Sequence, residues 1–129
     1  MSASAKVHMR RITLHAARSK EFPEGSESHG YEFVAPLDGD GHIDLDLWKA
    51  NRALCFVKRF WGDADPERGL LVHRPGGSSW AFDYDFENVG DEETGYHLGD
   101  HVFRPGEYVS IRDASGEMAT FKVARVEKL

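Results

Sequence analysis

Two stretches of this 129-residue chain hold the residue types from which metal and ligand chemistry is built. The first is P-L-D-G-D-G-H-I-D-L-D-L-W-K, residues 36–49, whose centre resembles the calcium loop of an EF-hand. That loop takes oxygen ligands at its positions 1, 3, 5, 7, 9 and 12, with glycine at 6. Setting Gly41 at position 6 places Asp38 at 3, Asp40 at 5 and Asp44 at 9, but it also places Pro36 at 1 and Leu47 at 12. The opening carboxylate and the closing bidentate acid are both missing. The spacing therefore predicts a strand-to-helix turn in which Asp44 caps the helix. A weak calcium site is the alternative.

The second stretch runs from His73 to His101 and is dense in His and Asp. His73, Asp83, His97 and His101 form a candidate metal set, and such ligands suit zinc, iron or manganese. His97 and His101 would converge on a helix, but Gly99 and the flanking strand pattern argue against one. In an extended chain they share a face about 13 Å apart, and a turn at Leu98–Gly99 is needed to join them. No H-E-x-x-H motif and no cysteine pair accompanies the set. Within the same stretch, R-P-G-G-S-S-W is a glycine loop that can turn backbone N–H groups towards an anion. Its candidate ligand-binding residues are His73, Arg74, Gly76, Gly77 and Ser78. It lacks the G-K-[ST] of a Walker loop and the G-x-S-x-G of a serine nucleophile.

These residues need elements to position them, and the pattern is mostly that of strands. R-R-I-T-L-H-A-A-R alternates with a period of two, and G-Y-E-F-V-A-P runs to a terminating proline. F-V-K-R-F-W, R-G-L-L-V-H-R and S-W-A-F-D-Y-D-F follow. In the last of these Trp80, Phe82, Tyr84 and Phe86 share one face, with Ala81, Asp83 and Asp85 on the other, which predicts one buried and one wet face of an antiparallel sheet. E-Y-V-S-I-R-D and E-M-A-T-F-K-V-A-R-V flank the tight turn D-A-S-G. The segment E-F-P-E-G-S-E-S-H-G reads as a loop. Leu45, Trp48 and Arg52, with Leu47, Asn51 and Leu54, fall at helical spacings and predict one helix over 44–54. The expected fold is mainly β, a small antiparallel barrel or two-layer sheet with one short α-helix, in a single domain over 1–129 with a loose tail at 1–6.

Composition excludes several classes. The net charge is −6, with 9 Lys/Arg against 8 Asp/Glu in residues 1–60 and 7 against 14 in 61–129. That balance argues against a nucleic-acid partner, which requires a basic face. The basic pairs Arg10–Arg11 and Lys58–Arg59 read as solvated. No window is apolar enough for a membrane helix, and the N-terminus has no apolar signal core. The single cysteine, Cys55, forms no internal disulfide, fits a cytoplasmic setting and reads as a buried inert thiol.

The phrases RRITLHAARSKEFPEGS, HGYEFVAPLDGDGHIDLDLWK, KRFWGD, LVHRPGG and FRPGEYVSIRDASGEMATFKV together resemble a group of small uncharacterised proteins from α-proteobacteria. The resemblance spans roughly residues 10 to 126 and implies a bacterial, cytoplasmic, stand-alone domain. It carries no catalytic residue, cofactor or substrate. The functional expectation is a non-catalytic module that binds a small molecule or a protein, without a cofactor, and with a homo-oligomer as one possible form. The competing expectation is a metal-dependent hydrolase built on the His/Asp set.

Overall fold

The computed structural model describes residues 8–73, 80–84, 92–96, 101–112 and 117–129. Among these residues eight strands follow one another: β1 (Met9–Ala16), β2 (Ser26–Pro36), β3 (Phe56–Trp61), β4 (Glu67–His73), β5 (Trp80–Asp83), β6 (Glu92–Tyr96), β7 (Tyr108–Arg112) and β8 (Met118–Lys128). Each pairs antiparallel with the next, and β8 pairs with β1 to close the ring. The fold is thus an up-and-down barrel, the barrel form of the expected mainly β architecture.

A barrel of this size has an interior just wide enough for side chains to fill or for one small ligand. The period-two pattern supplies the side chains. On β1, Ile12 stands opposite Phe33 and Leu14 opposite Tyr31. Val57 stands opposite Phe33, and Phe82 opposite Leu71. All of these are buried. Four ring contacts knit the interior: Tyr31 to Phe82 at 5.1 Å, Tyr31 to Phe121 at 5.0 Å, Phe33 to Phe82 at 5.3 Å and Phe33 to Phe103 at 5.7 Å between centroids. Tilted and edge-on pairs of this kind each add about 0.5–1.5 kcal/mol to the area term.

One end of the barrel is plugged. The chain leaves β2, turns through residues 37–44 and enters a helix, α1 (Leu45–Ala50), before reaching β3. Asp44 caps α1 by accepting the Leu47 amide at 3.1 Å, as its sequence position predicts. The helix is shorter than the expected 44–54. Asn51 caps its C-terminus, and Arg52–Leu54 continue as a single 3₁₀ turn. Trp48 is the buried residue of α1, and its indole N–H donates to the Leu71 carbonyl at 3.0 Å. Its ring meets Trp80 edge-on at 5.1 Å. Behind it Cys55 is fully buried and donates to the Asn51 carbonyl.

Burial pushes the Cys55 thiol up to about 11 from its ordinary 9.0. The folded state therefore favours the protonated thiol, and this contribution to stability is present below about pH 9 and lost as pH rises from 9 towards 11. At pH 8 a soluble thiol reagent is expected to modify the folded protein at least about a hundredfold more slowly than the urea-unfolded chain, given the smaller thiolate fraction. Equal rates, followed by absorbance of the released thiolate, would show that the pocket around Cys55 is open.

Three sequence expectations need correction. The strand expected over 79–86 is described only as Trp80–Asp83, and both its faces are covered: Ala81 and Asp83 are buried along with Trp80 and Phe82. β5 is an inner strand held between β4 and β6, and Ala81 stands opposite the larger Val72, so its methyl group does not reach past its neighbours. Phe86 and Asp85 lie outside the described residues. Secondly, β2 begins at Ser26, inside the segment expected to be a loop. Thirdly, an eighth strand, β6, forms from E-E-T-G-Y, which has too few β-branched or aromatic residues to be seen by propensity.

Candidate functional site

Of the His/Asp set singled out by sequence, the structure describes His73, Asp83 and His101. His73 ends β4 opposite Trp80, and its ring lies 4.7 Å from Trp80 and 6.1 Å from Trp48. Asp83 stands opposite Leu70, three places along the same ladder and on the other face of β5, about 10 Å away at the strand rise. Among the described residues, His73, Asp83 and His101 are not gathered where their ligand atoms could reach one ion. His97 lies outside the described residues, as do Arg74, Gly76, Gly77 and Ser78 of the glycine loop.

The described residues that do converge belong to the aspartate loop. Ligand atoms of Asp38, Asp40 and His42 lie within 4.8 Å of one another. The hydrogen bonds explain the arrangement without an ion. The Asp38 carboxylate accepts the amides of Asp40 at 2.9 Å and His42 at 3.1 Å, and Gly41 turns the chain at a φ of 88°. Slight burial works to raise the Asp38 carboxyl, but the His42 and Asp40 amides and the nearby His42 imidazole outweigh it and hold the group below its ordinary value. The loop then braces the plug, since the Phe103 amide donates to the Gly41 carbonyl at 2.8 Å. Asp44, the EF-hand's expected ninth-position ligand, is occupied by the helix cap.

The end of the barrel opposite the plug carries a different kind of site. Here the ladder between β1 and β2 breaks: His15 pairs with Gly30, but the next residue, Ala16, pairs with Ser26. The intervening residues of β2 turn to β3 instead, and His29 stands opposite Trp61. A bulge of this kind at a barrel rim re-aims side chains and splays the wall. The Gly30 backbone packs so closely on the Leu14 carbonyl that no Cβ fits between them.

The splayed wall opens a cavity of about 450 Å³. Trp61 and Met118 line it, over the buried core residues Tyr31, Ile111 and Phe121. Residues 17–22 cross its rim, held by the Ser19 amide donating to the Phe22 carbonyl at 2.9 Å and by the Phe22 amide donating to the Ser19 hydroxyl at 3.0 Å. The Phe22 ring then leans on His29 at 4.5 Å and meets Trp61 edge-on at 5.8 Å. His29 Nδ1 lies 2.7 Å from the Ser26 hydroxyl, which also accepts the Ser28 amide, so this serine–histidine contact shapes the bulge.

A charged side chain enters this aromatic setting from β3. On β3, Val57, Arg59 and Trp61 share the inner face, opposite Phe33, Tyr31 and His29 in turn. The Arg59 guanidinium lies 4.1 Å over the Trp61 ring and lines the cavity. Its neighbour Lys58 points outward to Glu32 at 3.6 Å, and Glu32 also meets Arg11 at 3.2 Å. Reading Lys58–Arg59 as one solvated basic pair was therefore right for the lysine and wrong for the arginine. The alternation of F-V-K-R-F-W held the signal: an arginine in phase with Val57 and Trp61 must face inward.

Comparison of the chain with protein-family models, with curated proteins and with solved structures found no match. Among the described residues, no helix is long and apolar enough to cross a membrane. The function must be read from the site itself.

Proposed function

We propose that the protein is a non-catalytic binding module and that the open mouth of its barrel receives a small organic ligand. The observation that carries this reading is the presence of Arg59 on the inner face of β3, between aromatic walls and beside a cavity of about 450 Å³. Pockets of a few hundred cubic ångströms with apolar walls and a few placed polar groups are the usual form of small-molecule sites, and barrel mouths are a favoured location. Among the described residues, the interior away from this mouth is a cluster of packed, buried side chains. A cytoplasmic setting fits the lone, protonated thiol of Cys55.

Nuclear magnetic resonance of labelled protein against a library of aromatic and aliphatic fragments tests this reading. The expected result is that binding fragments shift the indole signal of Trp61 and amides at the adjoining ends of β2, β3, β7 and β8. The indoles of Trp48 and Trp80, at the plugged end, stay in place. A library that leaves the Trp61 region unmoved, or a purified protein that turns over a substrate, overturns it.

A further inference from the structure

We infer that the outer wall of β3 and β4, towards the plugged end of the barrel, docks an acidic amphipathic helix of a protein partner. This surface is separate from the mouth and stands on different residues. Cys55 is fully buried, so Leu54 and Phe56 turn away from the core on either side of it, 55% and 46% exposed. Phe56 stands opposite Leu70. The Leu71 amide donates to the Cys55 carbonyl at 2.8 Å, which continues the pairing beyond β3 and carries Leu54 towards Val72. Leu71 is buried, so Leu70 and Val72 face outward with Phe56. The four form one apolar strip, and such a strip with a polar rim marks an interaction site. Its rim is cationic. At one end Lys58 stands opposite Arg68, and at the other Arg52 opens the 3₁₀ turn that Leu54 closes. Arg68 forms no ion pair among the described residues. The acids nearby do not cancel this charge: Glu32 is shared between Lys58 and Arg11, and Asp83, opposite Leu70, is buried. A local excess of cations in a chain of net charge −6 selects an acidic partner. It also disfavours a second copy, because cations at both ends of the strip would meet cations in a two-fold contact. The form of the partner follows from the closed ring. Every strand is paired on both sides, so no edge accepts an added strand. The partner has to lay side chains on the wall, as a helix does with an apolar stripe at i, i+4 and i+7.

The test uses two synthetic alanine-based helices that carry leucine at i, i+4 and i+7, one flanked by glutamates and the other by lysines. Binding is followed by the amide signals of labelled protein. The glutamate helix is expected to shift residues 54–58 and 68–72 and to bind about tenfold more tightly than the lysine helix at low salt. That preference shrinks as ionic strength rises. Phe56→Ala is expected to weaken the glutamate helix about tenfold, as loss of a central anchor does. Arg68→Glu is expected to abolish the preference between the two helices. Should either variant fail to fold, the two-helix comparison on the unaltered protein decides alone. Equal affinities, no binding by either helix, or shifts confined to other parts of the barrel overturn the proposal. Light scattering that shows a dimer of the protein alone, dissolved by Phe56→Ala, also overturns it, because the strip then belongs to a second copy.

Discussion

Replacing Gly30 by alanine is expected to destabilise the protein by about 3 kcal/mol, lowering its melting temperature by roughly 10 °C. The reason is local and has no soft component. Gly30 sits where β2 leaves β1, with His15 as its last regular partner before the register jumps to Ser26. A Cβ there would overlap the Leu14 carbonyl oxygen and crowd the His15 Cα, all backbone atoms with no rotamer by which to withdraw. The β1–β2 ladder would have to part at the point that opens the mouth. Gly39→Ala is the control, because a Cβ at Gly39 meets nothing within 4 Å and its φ is not positive. Urea unfolding of the two variants should separate them clearly. A Gly30→Ala protein within 0.5 kcal/mol of the parent would mean that the strands yield there at little cost, and that the bulge is not fixed by this close approach.

Truncating Phe33 should cost as much or more. Its ring is fully buried and touches Phe82 on one side and Phe103 on the other, so it joins the middle of the barrel to the plug. Phe33→Ala removes both contacts and leaves a void that a closed ring of strands cannot collapse to fill. A loss of about 3–5 kcal/mol is expected from the transfer and cavity terms together. Phe56→Ala offers the contrast, for Phe56 is 46% exposed on the outer face. It should cost well under half as much, and guanidinium unfolding monitored by tryptophan fluorescence would compare the pair. Similar losses for the two would mean that the barrel centre relaxes freely, against the packing described here.

Much of this architecture is written in the period-two pattern. Ile12 and Leu14, Tyr31 and Phe33, and Phe121 and Val123 recur at every second position of their strands, and each is buried. The helix start was equally legible, because an aspartate before L-D-L-W can cap only one way. What escaped has physical reasons. β6 is formed by neighbours that need a partner, not by residues that prefer extension. The barrel, rather than a two-layer sheet, depends on the pairing of β1 with β8, and no local pattern encodes a contact between the two ends of the sequence. The candidate site lies apart from the His and Asp residues that carry the sequence's signal for metal chemistry. The cavity is instead made by a register jump and by an arginine whose phase along β3 matters more than its charge.

Closure of the ring has a kinetic side. Arg10 and Lys128 are paired, yet they lie at opposite ends of the sequence. Loop-closure entropy has to be met before such a distant contact gives anything back, so topologies of this kind fold slowly. During synthesis, β1 can dock on β2 as soon as both have emerged, but its other side stays bare until β8 has been made. For most of that interval the chain is an open sheet with two unsatisfied borders, the state in which β proteins are most exposed to pairing with other molecules. Once β8 arrives, both borders disappear in a single event.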